Sequence, residues 1–164
     1  MQMEKMILVD YAKCTGCRLC ETVCSVVNTG ACNPERARIK VVRWEWDGLQ
    51  VPTVCLQCDE PACVSVCPVK ALSRDSRYGC VKLNQSRCIG CKLCLQSCPF
   101  GAISYDFIKK ELVKCEFCDG DPACVKFCET QALQFVNVAD ASTKKKRILG
   151  AQVLMAIGKT EEIL

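Results

Sequence analysis

Apolar positions along this chain fall in short runs, and turn residues bound almost every run. Residues 38–46 are rich in β-branched and aromatic side chains and roughly alternate apolar with polar. Asp47-Gly48 follows as a strong turn signal, and residues 49–54 can return as the second strand of a hairpin. The same reading pairs residues 72–74 with 80–83 across the turn 75–79, and residues 103–105 with 112–114. One strand, residues 7–9, precedes these hairpins, and another, residues 133–136, follows them. Trp44 and Trp46, as i and i+2 of a regular strand, share a face. Hairpin packing is the ordinary use of that face; covering a buried group or meeting a partner are the others. Near the end the period changes. Lys144-Lys145-Lys146-Arg147 reads as a solvated basic segment, and Leu149, Val153, Leu154, Ala156 and Ile157 follow at helix-compatible spacing. The expected organisation is one domain over residues 1–140 and a partly helical tail over 141–164, its apolar positions serving a partner.

Elements this small cannot bury a large core, so something else must hold the chain together. Cysteine is the outlier: 18 of 164 residues, with no histidine. Such a frequency means a disulfide scaffold or metal sites. The first ten residues lack an apolar signal core and a twin-arginine pair. No run approaches the roughly 18 apolar residues of a membrane span. A reducing, cytoplasmic setting is therefore expected, where thiols serve metals; export bound to a signal-bearing partner stays open.

Sixteen of the cysteines form four modules. Cys14, Cys17, Cys20 and Cys24 follow C-x-x-C-x-x-C-x-x-x-C, and so do Cys88, Cys91, Cys94 and Cys98. Cys55, Cys58, Cys63 and Cys67, and Cys115, Cys118, Cys124 and Cys128, repeat the pattern with a wider middle gap. Three closely spaced cysteines let one loop wrap three corners of an iron–sulfur cubane, its amides aimed at the sulfurs. The fourth lies about one helical turn on, and in two-cluster ferredoxins it ligates the other cluster. Gly16 and Gly90 suit backbone that approaches a cluster or adopts positive φ. Pro68 and Pro99 fix the chain after the fourth cysteine, while Ser25 and Glu129 stand there in modules one and four. A short helical turn is expected after each fourth cysteine, as in Pro99-Phe100-Gly101-Ala102.

The competing reading is zinc. Structural zinc draws paired C-x-x-C knuckles, often with histidine, and such a four-cysteine run serves one tetrahedral ion poorly. Cys32 and Cys80 fall outside the modules and read as partly buried thiols. The formal charge of +4 leaves cysteines neutral. Four oxidised clusters at roughly −2 each would bring the chain to about −4. The basic residues therefore compensate cluster charge rather than mark a nucleic-acid footprint. Cluster binding must supply much of the folding free energy, so the apo chain is expected to be largely unfolded.

The four modules, with Cys55-Leu56-Gln57-Cys58-Asp59-Glu60-Pro61-Ala62-Cys63, Cys98-Pro99-Phe100-Gly101-Ala102-Ile103 and Lys114-Cys115-Glu116-Phe117-Cys118-Asp119-Gly120, resemble the iron–sulfur subunits of the dimethyl sulfoxide reductase type over residues 7–136. The compact length is most similar to the small polyferredoxin subunits of tungsten aldehyde oxidoreductases. Small subunits of formate dehydrogenases and hydrogenases are close competitors. The resemblance implies an α+β fold of two ferredoxin-like halves, with short hairpins and short helices, plus the helical tail. It also implies four 4Fe–4S clusters with nested ligation. Cys14, Cys17 and Cys20 share one with Cys128, and Cys115, Cys118 and Cys124 share one with Cys24. Cys55, Cys58 and Cys63 join Cys98, and Cys88, Cys91 and Cys94 join Cys67. Spacing alone equally permits modules one with two and three with four.

The expected function is a one-electron relay, not catalysis: there is no dinucleotide-binding G-x-G-x-x-G and no histidine. The implied partners are a catalytic subunit, carrying tungsten or molybdenum pterin, and a flavin subunit or soluble ferredoxin. A freely diffusing polyferredoxin and a zinc-stabilised interaction module are the alternatives. A row with a cluster near each end also allows head-to-tail self-assembly.

Overall fold

The computed structural model describes the backbone of residues 5–156 and the side chains of residues 5–147. Four two-stranded antiparallel sheets organise it. Strand β1 (Lys5–Val9) pairs with β8 (Leu133–Asn137), placing Ile7 opposite Phe135. β2 (Lys40–Trp44) pairs with β3 (Leu49–Thr53), β4 (Leu72–Arg74) with β5 (Val81–Leu83), and β6 (Ile103–Asp106) with β7 (Glu111–Lys114). The three inner pairs are sequence neighbours, as their turn residues predict. The outer pair joins strands at opposite ends of the described chain.

Strand alternation assigns the two faces of the β1–β8 sheet. Ile7 and Leu133 enter the larger core, while Leu8 and Val136 on the other face pack with Ala141. Ala141 belongs to α5 (Val138–Ala156), which runs on from β8 and covers that face. Its basic residues Lys144–Arg147 are exposed. The side chains of Leu149, Val153, Leu154 and Ala156, and the whole of Ile157, lie outside the described residues, as do the first four residues of the leader reading. Among the described residues no helix is long and apolar enough to cross a membrane.

Four short helices carry the modules: α1 (Leu19–Thr29), α2 (Ala62–Ser65), α3 (Leu93–Ser97) and α4 (Ala123–Lys126). Each contains the third cysteine of its module. α1 packs on α4 and α2 on α3, so the modules associate first with fourth and second with third. The helical turn expected after each fourth cysteine lies before it in modules two, three and four. In modules two and three the chain folds round the fourth sulfur instead, and Ala71 N–H and Ala102 N–H donate to Cys67 Sγ (3.2 Å) and Cys98 Sγ (3.4 Å). Module one differs. Ser25 keeps the N–H that proline lacks, and α1 runs through Cys24 to Thr29. Module four also lacks the proline, yet α4 stops at Lys126, so the missing proline permits the longer helix without dictating it.

The β2–β3 hairpin departs from the sequence reading. The chain leaves β2 at Trp44 for a 3₁₀ turn, Glu45–Asp47, closed by Gly48 at φ +62°. Trp46 sits in that turn fully exposed and Trp44 is half exposed, so the two do not share a strand face. Cysteines make up much of both cores. The larger core joins Cys20, Cys24, Cys55, Cys80, Cys115 and Cys124 to Ile39, Val41, Phe117 and Leu133; the smaller holds Leu72, Val81, Ile103 and Leu112 round Cys94. Arg36 ties the two sides together through an ion pair with Asp106, Nη2 to Oδ2 at 2.7 Å.

Candidate metal centres

All four loops share one backbone device. The residue before the second cysteine has positive φ in each: Gly16 (+69°), Gln57 (+52°), Gly90 (+68°) and Phe117 (+58°). In modules one, three and four the residue after it does too, Arg18 at +60°, Lys92 at +62° and Asp119 at +55°, and in module four Cys118 itself is left-handed at +48°. In modules one and three, left-handed residues on either side of the second cysteine curl successive N–H groups to one side, the arrangement that receives anions. Gln57 and Phe117 adopt this conformation without glycine, and both are buried, so packing holds them there.

The sulfurs are gathered across modules rather than within them. Cys55, Cys58, Cys63 and Cys98 line one recess of about 390 Å³, its mouth to solvent included. Cys115, Cys118 and Cys124 line a second with Cys24. Cys14, Cys17 and Cys20 line a third with Cys128. Cys88 and Cys91 lie close enough to Cys94 to act on it electrostatically, and Cys67 stands just beyond α2, which packs on α3. Among the described residues no group of three or more His, Cys, Asp or Glu is arranged to hold a single metal ion.

The quartets form a row. Cys124 feels Cys20, Cys115 feels both Cys55 and Cys24, and Cys63 packs with Cys88 beside Cys94. Cys17 and Cys91, in the outer loops, are exposed, while Cys20 and Cys94 of the same loops are buried, as are Cys55, Cys115 and Cys124. Cys32 is exposed rather than partly buried, and Cys80 is fully buried, its Sγ 3.8 Å from Glu116 O.

The donor set fits an iron–sulfur cluster. Burial pushes the Cys20 and Cys115 thiols up to about 12, and it raises Cys24, Cys63, Cys94 and Cys124 as well. Thiols held neutral by dry surroundings become thiolates when metal replaces the proton. Backbone N–H groups already point at several sulfurs. Arg38 N–H donates to Cys24 Sγ at 3.3 Å. Burial works to raise Cys67, but the N–H groups of Ala71, Leu72, Val69 and Lys70 outweigh it and hold the thiol below its usual value.

Sequence reasoning missed the junction between the second and fourth modules. Lys114 is 2 % exposed, and its Nζ donates to Gln57 Oε1 (3.0 Å), Val81 O (3.1 Å) and Cys115 O (3.2 Å). Gln57 completes the bridge: its Nε2 donates to Cys115 O at 2.8 Å, and its Oε1 accepts Val81 N–H at 2.9 Å. Both residues stood in recognisable loop motifs, and a lysine closing the otherwise buried end of a strand was the available signal.

The family described as a 4Fe–4S dicluster domain matches residues 46–138, and a 4Fe–4S binding domain matches residues 11–32. The chain belongs to the 4Fe–4S dicluster family of polyferredoxin-like electron-transfer subunits. Within this family it is 41 % identical over 128 residues to the polyferredoxin-like subunit of aliphatic sulfonate oxidoreductase of Pyrococcus furiosus, covering 78 % of this chain and 73 % of that one. It is 35 % identical to the electron transport protein HydN of Escherichia coli, covering 88 % and 97 %. Among solved structures, a chain of the active-site complex BamBC of benzoyl coenzyme A reductase, solved with zinc, matches at a TM-score of 0.50 and 25 % identity, covering 94 % and 97 %. Family membership makes this an electron-transfer chain with 4Fe–4S clusters, and the fold is the ferredoxin-like α+β arrangement expected.

Proposed function

We propose that this chain conducts single electrons along a row of four 4Fe–4S clusters, between a catalytic subunit and a second redox protein. The observation that supports this reading is three recesses, each lined by three cysteines of one module and the fourth cysteine of another, with Cys17 and Cys91 exposed in the outer loops. The ligands are the sixteen module cysteines in the nested sets given above. When bound, the clusters supply the one-electron chemistry. The chain positions their sulfurs, excludes water round Cys55, Cys115 and Cys124, and aims N–H groups at Cys24, Cys67 and Cys98. The outer loops suit partner contact, since exposed Ile89 and Leu93 flank Cys91, and half-exposed Phe127 lies beside Cys128 at the other end.

The catalytic partner proposed is a tungsten or molybdenum pterin subunit, as the resemblance of the sixteen cysteines implies. Small subunits of tungsten aldehyde oxidoreductases are the nearest analogy in length. A flavin subunit or soluble ferredoxin takes the other end. The cell compartment proposed is the cytoplasm.

Anaerobic purification with metal and sulfide analysis tests the reading. The expected content is about sixteen iron and sixteen sulfide per chain. Zinc with little sulfide overturns it. Affinity purification from the native host should recover a pterin-containing subunit; recovery as a lone monomer assigns the chain to free carriers instead.

A further inference from the structure

Lys114 is the feature that cluster ligation does not explain. Its ammonium is buried, and all three partners are neutral oxygens. Among the described residues no carboxylate lies within ion-pairing distance of it. A buried cation without a counter-charge is among the costliest arrangements in a protein. The chain nevertheless anchors it with three hydrogen bonds, one of them to a dedicated glutamine. The missing anion must therefore be something the polypeptide does not itself contain.

Its position supplies the candidate. Lys114 lines the recess of Cys55, Cys58, Cys63 and Cys98. Through the backbone it adjoins Cys115, which lines the recess completed by Cys24. Gln57, between Cys55 and Cys58, orients the lysine from the first loop and binds Cys115 O of the second. One side chain thus lines one centre and donates to the Cys115 carbonyl in the loop of the other, and each centre gains a negative charge on reduction.

The geometry points to Lys114 as a charge-compensating residue shared by the two inner clusters, one that raises both reduction potentials and evens the middle of the electron path. Gln57 is its positioning residue. The inference rests on the four-cluster reading.

The test is a redox titration of the holoprotein followed by EPR, on K114M and Q57E beside the unaltered chain, with iron and sulfide measured on the same samples. K114M removes the positive charge. Q57E leaves the lysine and adds a negative charge against it. In both, two of the four centres should shift to lower potential while the other two stay. A unit charge acting across about 10 Å at an effective dielectric of about 20 predicts an effect of about tenfold in the reduced-to-oxidised ratio at fixed ambient potential. That is about 60 mV for one electron. A shift in one centre only, in none, or in all four alike overturns the inference. Loss of iron from both variants assigns the residues to folding alone and also overturns it. Full iron and sulfide content with unmoved potentials defeats this inference and leaves the relay standing; absent clusters in the unaltered chain defeat the relay itself.

Discussion

Asp106→Asn is the sharpest test of how the two halves are held. Asp106 Oδ2 accepts from Arg36 Nη2 at 2.7 Å and from Nε at 2.8 Å, and Oδ1 accepts the N–H groups of Ile108 (2.9 Å) and Lys109 (3.1 Å). The side chains are 10 % and 1 % exposed for Arg36 and Asp106, so solvent screens the pair little. Asparagine keeps one oxygen for the turn but sets an NH₂ or a neutral oxygen against a buried guanidinium. Breaking a buried pair from one side costs about 3–5 kcal/mol. Cluster loss makes unfolding irreversible, so the useful quantity is a rate. With about half the loss on the unfolding limb, D106N should lose its clusters roughly tenfold to sixtyfold faster in guanidinium. The assay is anaerobic bleaching of the cluster absorption with a chelator present. Adding R36M removes the stranded cation, so the double variant should bleach more slowly than D106N alone. Bleaching of D106N within twofold of the unaltered chain, or singles whose effects simply multiply, would refute the reasoning.

The same pair gives a pH dependence with a definite sign. Burial works to raise the Asp106 carboxyl, but the Arg36 hydrogen bond and the turn N–H groups outweigh it and hold it below its ordinary 3.8. A group depressed in the folded state stabilises above its unfolded value, and that stability is lost as pH falls through the folded value. The rate gap between D106N and the unaltered chain should therefore stay constant above about pH 5 and close below about pH 4.

Three further outcomes follow from single positions. Gly16 and Gly90 share a left-handed φ, but a Cβ at Gly16 would stand 2.6 Å from Gln50 Cγ, while nothing lies within 4 Å of one at Gly90. Thermal denaturation should show G90A losing about 1 kcal/mol, G16A losing more, and Q50A bringing G16A back to the G90A level. C80A should keep the full iron content measured after anaerobic desalting and lose only about 1 kcal/mol of stability, because Cys80 fills core space rather than a recess. C24S should abolish the EPR signal of the centre held by Cys115, Cys118 and Cys124 and spare that of Cys14, Cys17 and Cys20; loss of the latter alone contradicts the crossed arrangement.

The hairpins were legible because each is local. Asp47-Gly48 and the residues around it decide the β2–β3 turn without help from the rest of the chain. Module spacing was legible for the same reason, since C-x-x-C-x-x-C is geometry within one loop. The placement of Trp46 was not, because a 3₁₀ turn and a strand differ there by two backbone angles that the alternation does not report. Long-range pairing was also beyond the spacing: β1 with β8, and α1 with α4, are separated by most of the chain, and only the family resemblance chose between two equally spaced arrangements. Lys114 and the Arg36–Asp106 pair were invisible for a third reason. A charged residue in sequence reads as surface until its partners, remote along the chain, show that it is buried.

Nesting has a consequence for how the chain folds. Were the modules paired in sequence order, each half would close on a single local segment and could form alone. Here one half is local: α2, α3 and the hairpins β4–β5 and β6–β7 lie within residues 62–114. The other half needs both flanks, because β1 waits for β8 and α1 for α4. Closing that outer layer orders a loop longer than the inner half itself, and loop entropy grows only slowly with length. An already compact inner half shortens the effective loop further. The contacts that then meet it are Gln57 to Cys115 and Arg36 to Asp106, each reaching from one layer into the other. Gln57, which joins the middle of the proposed electron path, therefore also couples the folding of its two layers.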